Sequence, residues 1–305
     1  MENKGHSEDY FTEFRDHFWN ADYIELLAKR FSLNQYSTLL DVGCGRCHWS
    51  GLLGLHLKKT AQVVALDSDP KWAKGNDAIQ TIFASKKIHL EFCEGNAYAI
   101  PFPDESFDVV TCQTVLIHLD NPLKALTEMK RVLKKGGRLL CVEPNNLAGF
   151  LVRNSLSMEE SIDDTLNRVK FRLIYEKGKK KIGEGDASFG DLLSGNFAKL
   201  KLQEITTYQS DKCLFSIYSP YDSIGSLALI EMLRSWLKNN EGVFDYKEAL
   251  TYFKAVSEEP EHLAFFERQW KKNYDHMEKI LGAIEQGTYY TGGGFMMYIV
   301  SGIKG

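Results

Sequence analysis

Two glycines and two aspartates in the first quarter of the chain have types and spacing suited to holding a small ligand. Gly43 and Gly45 flank Cys44, between a short apolar run and a segment with a helical pattern. Small residues at such a turn let the backbone approach a ligand closely, and the following helix offers free N–H groups. Asp41 stands two positions before the first glycine, and Asp67 follows 26 residues after Asp41. These residues therefore define a candidate binding turn.

The spacing favours a ligand with a ribose and an amino group over a dinucleotide. The dinucleotide fingerprint G-x-G-x-x-G needs a third glycine at position 48, where this chain has His48. Asp41 is badly placed for a pyrophosphate and well placed for an ammonium group. Asp67 ends a strand-like segment, where a carboxylate can accept hydrogen bonds from both hydroxyls of a ribose. A nicotinamide dehydrogenase is therefore only a distant alternative.

The segment from Cys44 through Cys47 to His48 matches C-x-x-C-H, a haem attachment pattern that also contains a thioredoxin-like dithiol. Residues 1–10 are polar and charged, unlike the apolar centre of a secretory signal. Covalent haem attachment, which implies export, is therefore disfavoured. Six cysteines in 305 residues are also too few for a disulfide scaffold. We expect a cytoplasmic protein with reduced thiols, and a redox dithiol is the weaker alternative.

The composition argues against a general nucleic-acid binder and against a membrane protein. The chain has 37 Lys and Arg against 41 Asp and Glu, a formal net charge of -4, so no overall positive field attracts phosphates. No run approaches the roughly 18 apolar residues that a membrane helix needs. With 44% hydrophobic and 26% charged residues, the chain is typical of a globular protein. We expect no nucleic-acid partner and no membrane span.

The first 150 residues alternate apolar runs with helical patterns, which predicts right-handed βαβ units and a parallel sheet. The predicted strands span 38–42, 62–67, 88–93, 107–112, 138–143, 200–207 and 295–300. The predicted helices fall within 7–31 and near 48–57, 122–133, 157–175, 223–238, 245–256 and 260–286. A capping box of Ser157 with Glu160 is expected to open the fourth of these helices, and Lys177 to Lys181 to form a solvated loop.

These elements predict an α/β fold, a Rossmann-like, seven-stranded, mostly parallel sheet with helices on both faces and a helical cap. Residues 1–35 are expected to form an N-terminal helical cover, and 36–208 the core, with a helical insertion near 147–190. Residues 209–293 are expected to form the cap and 294–305 the last strand. At about 30 residues per βα unit the core needs roughly 200 residues, so the remaining residues of the chain are assigned to the N-terminal cover, the insertion and the cap.

Five collinear blocks between about residues 36 and 145 resemble the class I S-adenosylmethionine-dependent methyltransferases. The run from Leu39 to Gly45 resembles their glycine-rich first motif, and Asp67 their acidic end of the second strand. Residues 94–103 resemble the G-D-A…L-P-F-P segment, 107–110 the fourth strand, and 131–139 the R-x-L-K-P-G-G-x-L block. The chain looks like the small-molecule type, similar to the methyltransferases of ubiquinone and menaquinone biosynthesis.

The resemblance implies S-adenosyl-L-methionine as cofactor, S-adenosyl-L-homocysteine as product, and no metal. Its family roles, carried over by position, place Asp41 at the cofactor's amino group and Asp67 at the ribose. Two positions depart from the family pattern: Cys47 replaces a small glycine, and Asn96 replaces an aspartate that accepts from the adenine amino group. The resemblance also implies backbone contacts from Gly43, Cys44 and Gly45. Ser68 or Trp72 is expected to lie against the adenine, with Asn96 and Ala97 at its edge. Gln113 is expected at the methyl region, and Arg15 and Trp19 are expected to cover the cofactor.

Methyl transfer from a sulfonium needs an aligned nucleophile and a dry site, because the methyl group is already activated. A general base is needed only if the acceptor atom enters protonated. His118, just past the fourth strand, is the first candidate, since an unperturbed imidazole has a pKa of about 6.5. Glu143, at the end of the fifth strand, is the second candidate.

The acceptor is expected to be a small molecule, aromatic or lipophilic. Residues 112–115 lack the Asn/Asp-Pro-Pro-Tyr/Phe element of enzymes that methylate bases, and no Pro-Cys nucleophile occurs. Residues 205–305 hold 17 of the 37 aromatic residues, which suits an aromatic-lined pocket as well as core packing. The alternatives are a methyltransferase acting on protein or RNA, and a non-catalytic S-adenosylmethionine-binding protein. The chain is expected to be a monomer or homodimer.

Overall fold

The computed structural model describes residues 15, 18–75, 77–239, 245–294 and 296–305. Of the helices expected within 7–31, the structure shows one, α1 (Ala21–Arg30). Phe11 and Phe14, which contributed to that expectation, lie outside the described residues. Helix α1 buries Ile24, Leu27 and Ala28, so the N-terminal region packs on the rest of the protein through one helical face.

Seven strands form one sheet in the order β3-β2-β1-β4-β5-β7-β6, which confirms the predicted fold class. They are β1 (Thr38–Val42), β2 (Gln62–Asp67), β3 (His89–Glu94), β4 (Phe107–Gln113), β5 (Leu133–Asn145), β6 (Gln203–Gln209) and β7 (Met296–Ile303). Strands β1 to β5 pair in parallel, whereas β7 runs antiparallel to β5 and β6. The strand order reverses between β1 and β4, and open α/β sheets bind ligands at that point, outside the carboxyl ends of the strands.

The helices that follow the strands cover both faces of the sheet. They are α2 (His48–Gly54), α3 (Pro70–Ala73), α4 (Asp77–Ser85), α5 (Pro122–Val132) and α7 (Leu193–Lys199). Neighbouring residues of β1 point to opposite faces: Leu39 lies in a core cluster with Leu53 of α2, and Leu40 in a cluster with Leu126 of α5. The buried strands thus read as continuous apolar runs because both faces are covered.

The remaining helices form a separate helical layer: α6 (Ile162–Lys181), α8 (Ile224–Lys238), α9 (Tyr246–Val256) and α10 (Pro260–Glu285). The ring of Phe171 on α6 lies 4.7 Å from that of Phe253 on α9 and 5.9 Å from that of Phe266 on α10. The insertion after β5 and two helices between β6 and β7, α9 and α10, therefore share one aromatic core, while α8 packs on α10 in a separate cluster. The sequence placed them in two different segments.

Helix α6 differs from its prediction at both ends. It begins after Ser161, whose hydroxyl accepts a hydrogen bond from the Asp164 N–H, so Ser157 is not the cap. It continues through the lysine-rich segment to Lys181, and the prediction of a solvated loop there is wrong. Gly178 explains the continuation, because a Cβ at this position would lie 2.0 Å from the Tyr252 carbonyl oxygen. The glycine lets α6 and α9 cross closely, and that contact keeps the basic turn helical.

Strand β5 is also longer than predicted, since it includes the lysine and glycine turn assigned to the end of the preceding helix. Gly136 donates its N–H to the Lys304 carbonyl, and Lys304 donates its own to that of Gly137. Hydrogen bonds with the residue that follows the antiparallel strand β7 therefore make this turn part of the sheet. None of the helices in the described residues is both long and apolar enough to span a membrane.

Candidate cofactor and acceptor site

A cavity of about 370 Å³ lies at the carboxyl ends of β1, β2 and β4. This volume falls within the range of small-molecule pockets. The structure brings most of the sequence-predicted site residues together there: its lining includes Asp41, Gly43, Cys44, Gly45, Asp67, Ser68, Trp72, Gln113 and His118. Arg15, expected in the cover, also lines it. Trp19 does not line the cavity but packs against Trp49, which does, with ring centroids 5.4 Å apart.

The glycine-rich turn crosses directly over the end of β2. The N–H groups of Gly43 and Cys44 both donate to the Leu66 carbonyl, at 2.7 and 3.0 Å. Gly43 has φ of +71°, and a Cβ on it would lie 2.5 Å from a methyl group of Val115. A side chain is therefore excluded here both by backbone conformation and by contact with the loop after β4. This close approach forms the floor of the cavity.

Asp41 places an unsatisfied carboxylate oxygen at this floor. The residue is 1% exposed, and within the described residues its Oδ2 has no hydrogen-bond partner. Burial raises the pKa of the Asp41 carboxyl to about 7, hydrogen bonding with Ser50 acts in the opposite direction, and the nearby carboxylate of Asp67 raises the pKa further. A buried polar atom without a partner is costly, so the arrangement favours a ligand that brings a donor, and a cationic donor above all.

Asp67 has a second role that the sequence did not indicate. Its two carboxylate oxygens accept from the N–H groups of Gly45 at 2.8 Å and Asp69 at 2.9 Å. The side chain therefore ties the glycine-rich turn to the start of α3. Each carboxylate oxygen has a further lone pair, so the same group can still accept from ligand hydroxyls.

Gln113, the last residue of β4, and His118, in the loop that follows, both line the cavity. This loop contains Thr114, with φ of +55°, and a short 3-10 turn from Leu116 to His118. Glu143 lies behind the loop, fully buried, and its carboxylate accepts from the N–H groups of Val115 and Leu116 at 3.0 and 2.9 Å.

Burial raises the pKa of the Glu143 carboxyl to about 7, and the backbone N–H groups that it accepts from act in the opposite direction. Glu143 is not among the residues that line the cavity, and its carboxylate is directed at the backbone. Its assignment as a general base stays a prediction that this geometry does not favour.

Asn96 and Ala97 are also absent from the cavity lining. Asn96 is exposed after the edge strand β3, and its side-chain oxygen accepts from the Tyr98 N–H at 2.8 Å. The amide oxygen that was expected at the adenine edge is thus used in a local turn. The adenine contacts of these two residues stay a prediction.

Several residues line the cavity that sequence reasoning did not assign to the site. They are His48, Trp49, Asp69, Pro70, Thr114, Val115 and Leu119. Each lies within a few positions of a residue that was assigned, so proximity to the strand ends was the available signal. Trp49 is held by a hydrogen bond of 2.7 Å from its indole N–H to the Thr111 hydroxyl.

The thiols of Cys44 and Cys47 are both buried and free. The Cys47 N–H donates to the Cys44 carbonyl at 2.8 Å, which closes the turn. The hydrogen bond with the Cys47 thiol, and then burial, raise the pKa of Cys44, so the Cys44 thiol is protonated. Reactive dithiols need a lowered pKa, and the redox alternative thus loses support. In the part of the chain that the structure describes, no cluster of His, Cys, Asp and Glu is arranged to hold a metal ion.

Comparison with known proteins shows a match to the methyltransferase domain family over residues 40–141. An uncharacterized methyltransferase of Schizosaccharomyces pombe is 35% identical over 117 residues, which cover 36% of this chain and 41% of that protein. The demethylmenaquinone methyltransferase of Listeria welshimeri is 32% identical over 136 residues, 43% of this chain and 54% of that protein. The chain thus spans about half the length of these curated relatives.

Among solved structures, a candidate methyltransferase from Bacillus halodurans C-125 has a TM-score of 0.50 at 20% identity. The superposition covers 93% of this chain and 99% of that one. At this identity the likeness concerns the fold, which supports the seven-stranded arrangement. The matched family segment coincides with the strands and turns that form the cavity floor.

Proposed function

Residues 40–141 form a methyltransferase domain of the class I S-adenosylmethionine-dependent kind, and from this premise we propose that the chain methylates a small-molecule acceptor. The observation that carries the proposal is the buried Asp41 oxygen without a partner at the cavity floor. S-adenosylmethionine has an ammonium group that can pair with it, as a pyrophosphate cannot. Asp41, Asp67 and the glycine-rich turn therefore fit this cofactor.

In this proposal, some of the lining residues bind the cofactor and others contact the acceptor. When bound, S-adenosylmethionine supplies a methyl group already activated on a sulfonium. Asp41 pairs with the ammonium group, and Asp67 accepts from ribose hydroxyls while it holds the Gly45 N–H. Gln113 and His118 form the wall on the side of the β4 loop, where His118 can accept a proton from an acceptor hydroxyl.

The helical layer is proposed as the cover of the acceptor side. Gly185, in the loop after α6, packs on the backbone of the His118 turn, because a Cβ there would lie 2.3 Å from the Ile117 carbonyl oxygen. The insertion thus reaches the wall of the cavity. We keep the predicted boundaries, 147–190 for the insertion and 209–293 for the cap, as part of this proposal.

An aromatic or lipophilic acceptor is supported by two observations. The similar protein from Listeria welshimeri is a demethylmenaquinone methyltransferase. The cavity also combines its polar floor with the apolar side chains of Trp49, Val115 and Leu119, which exclude water and pack against apolar ligands. The formal charge of -4 gives no support to a nucleic-acid acceptor.

Cofactor binding is tested by calorimetry with S-adenosylhomocysteine, with NADH as the comparison. We expect wild-type protein to bind S-adenosylhomocysteine and not NADH. Asp67→Ala should weaken the binding at least about tenfold, because it removes hydrogen bonds to a charged acceptor and releases the glycine-rich turn. Ser301→Ala, a buried change on β7 at a residue that does not line the cavity, is the control and should bind like wild type. Absence of binding by wild-type protein would contradict the proposal.

The acceptor class is tested with S-adenosylmethionine that carries a labelled methyl group. A cell extract is separated into a low-molecular-mass filtrate and a macromolecular fraction, and each is incubated with the protein. Label that an organic solvent extracts from either fraction supports a small-molecule acceptor. Label that stays with the macromolecules after this extraction supports protein or RNA as acceptor, and tight cofactor binding with no label in either fraction supports the non-catalytic alternative. His118→Asn should reduce transfer while leaving S-adenosylhomocysteine binding intact.

A further inference from the structure

We infer that Glu143 is a positioning residue that holds the loop carrying His118 in place from outside the cavity. That this positioning matters for catalysis rests on the proposed function, but the contacts that support the inference do not depend on a bound cofactor. They involve the buried carboxylate, three consecutive backbone N–H groups and a glycine on the opposite side of the loop.

The carboxylate of Glu143 binds the start of the 3-10 turn from Leu116 to His118. Its Oε1 accepts from the N–H groups of Val115 at 3.0 Å and Leu116 at 2.9 Å, and its Oε2 from that of Ile117 at 3.4 Å. The first N–H groups of a helical turn have no partner within the turn, and here a side chain from the neighbouring strand supplies one. The Cys112 thiol is the fourth donor, at 3.8 Å.

These contacts explain why an acidic residue is tolerated at a fully buried position. Glu143 is 0% exposed, and a buried carboxylate is costly unless donors surround it. In the described residues those donors come from the loop and from β4, and no Lys or Arg is paired with this carboxylate. The loop therefore offsets part of the cost of burying the carboxylate that holds it, so carboxylate and loop conformation depend on each other.

The opposite side of the loop is fixed by the helical insertion. Gly185 has φ of +90°, and a Cβ on it would lie 2.3 Å from the Ile117 carbonyl oxygen and 2.8 Å from the His118 carbonyl carbon. The loop is thus held between the Glu143 carboxylate and the Gly185 backbone. Val115, at its start, contacts Gly43, so the same loop also borders the glycine-rich turn. Displacement of the loop would move the His118 imidazole relative to the cavity floor.

Glu143→Gln is the first test, because the amide keeps the shape, loses the charge and adds N–H donors that face backbone N–H groups. Amide hydrogen exchange at residues 115–117 is measured by NMR, together with the imidazole resonance of His118, which is assigned with His118→Asn. We expect exchange at these three amides to rise about tenfold or more and the His118 resonance to shift. Ser301→Ala, equally buried on β7, should leave both unchanged.

A merely structural role would lower stability without changing the His118 resonance of the folded protein. The inference is therefore overturned if the three amides exchange no faster in Glu143→Gln than in the wild-type protein, or if the resonance stays in place. Should Glu143→Gln fail to fold, Gly185→Ala tests the loop from its other side and is expected to shift the same resonance. An unshifted resonance in that variant also overturns the inference.

S-adenosylhomocysteine binding by the wild-type protein is measured in parallel by calorimetry. If it fails while the exchange and resonance results are as expected, the proposed function is wrong and the positioning contact stands. If binding is normal and the loop results fail, the positioning inference is wrong and the proposed function stands.

Discussion

Asp41→Asn should remove a pH dependence of cofactor binding that the structure predicts for the wild-type protein. Burial raises the pKa of Asp41 to about 7 in the free protein, and pairing with an ammonium group requires the ionised form. About nine tenths of Asp41 is then ionised at pH 8 and about one tenth at pH 6. The dissociation constant of S-adenosylhomocysteine should therefore rise about tenfold between pH 8 and pH 6.

The size of the effect of the substitution follows from the same contact. At pH 8 the asparagine lacks the charge that pairs with the ammonium group, which costs about 1.5–3 kcal/mol, or roughly 10- to 150-fold in affinity. At pH 6 most of the wild-type protein has a neutral Asp41, so wild type and variant should approach each other. Calorimetry with S-adenosylhomocysteine at several pH values measures both constants.

His48 and His118 also line the cavity and are present in both proteins, so the difference between wild type and variant isolates Asp41. Calorimetry in buffers of different ionisation enthalpy should show close to one proton released on binding at pH 6 by the wild-type protein only. An Asp41→Asn variant with the pH dependence of wild type would refute the reasoning, as would a wild-type constant that is flat from pH 6 to pH 8.

Unfolding of the ligand-free protein provides an independent check with the opposite sign. A carboxyl whose pKa is raised in the folded state binds its proton more tightly there, so its stabilising effect is present at low pH and is lost as pH rises towards 7. For each such group, the free energy of unfolding falls by roughly 1.4 kcal/mol per pH unit between about pH 4 and 7. Glu143 contributes in the same direction, so Asp41→Asn should reduce the summed slope of these two groups by about half.

Two further substitutions test the glycine-rich turn and the helical layer. Gly43→Ala should cost about 1–3 kcal/mol and weaken S-adenosylhomocysteine binding, since its φ is +71° and its Cβ would meet Val115 at 2.5 Å. Gly51→Ala in α2 is the matched control, because no atom lies within 4 Å of the position of its Cβ. Urea unfolding should show that Gly51→Ala is more stable than wild type by about 0.5–1 kcal/mol. An equal loss of stability in both variants would contradict the contact between position 43 and Val115. Tyr252→Phe removes a buried hydroxyl that bonds to two glutamates in the helical layer and should lower stability by about 1–3 kcal/mol. Calorimetry should show unchanged S-adenosylhomocysteine affinity in Tyr252→Phe, and a large loss would mean that the helical layer and the cofactor side are coupled.

Most elements of the fold could be predicted from local pattern, because one strong signal determined each of them. The first two strands, 38–42 and 62–67, match the structure, since buried parallel strands are short apolar runs that a turn terminates. The three late helices were predicted within a residue of their ends, where an amphipathic period agrees with a capping residue in α8 and α9 and with a proline in the first turn of α10. Local signals suffice when the neighbouring chain only has to cover an apolar face.

The errors occur where a distant segment decides the conformation of a local one. The lysine-rich turn at the end of α6 is helical because Gly178 meets the backbone of Tyr252, which lies far along the sequence. The glycine turn in the first part of β5 is extended because Lys304, just after β7, pairs with it. Composition alone pointed to a loop and to a helix end, and neither interpretation contained the partner.

The sequence by itself determined the chemistry of the cofactor side, because Asp41, Asp67 and two glycines lie at the ends of adjacent parallel strands. Residue type and spacing suffice there, since the sheet brings its strand ends to one edge. Only the tertiary structure decided the direction of side chains on the acceptor side. The sequence offered both His118, the first candidate, and Glu143, the second, but backbone N–H groups bind the carboxylate of Glu143 outside the cavity, while His118 lines the cavity. Donors that stabilise a buried charge come from whatever segment packs against it, and a linear pattern does not contain that segment.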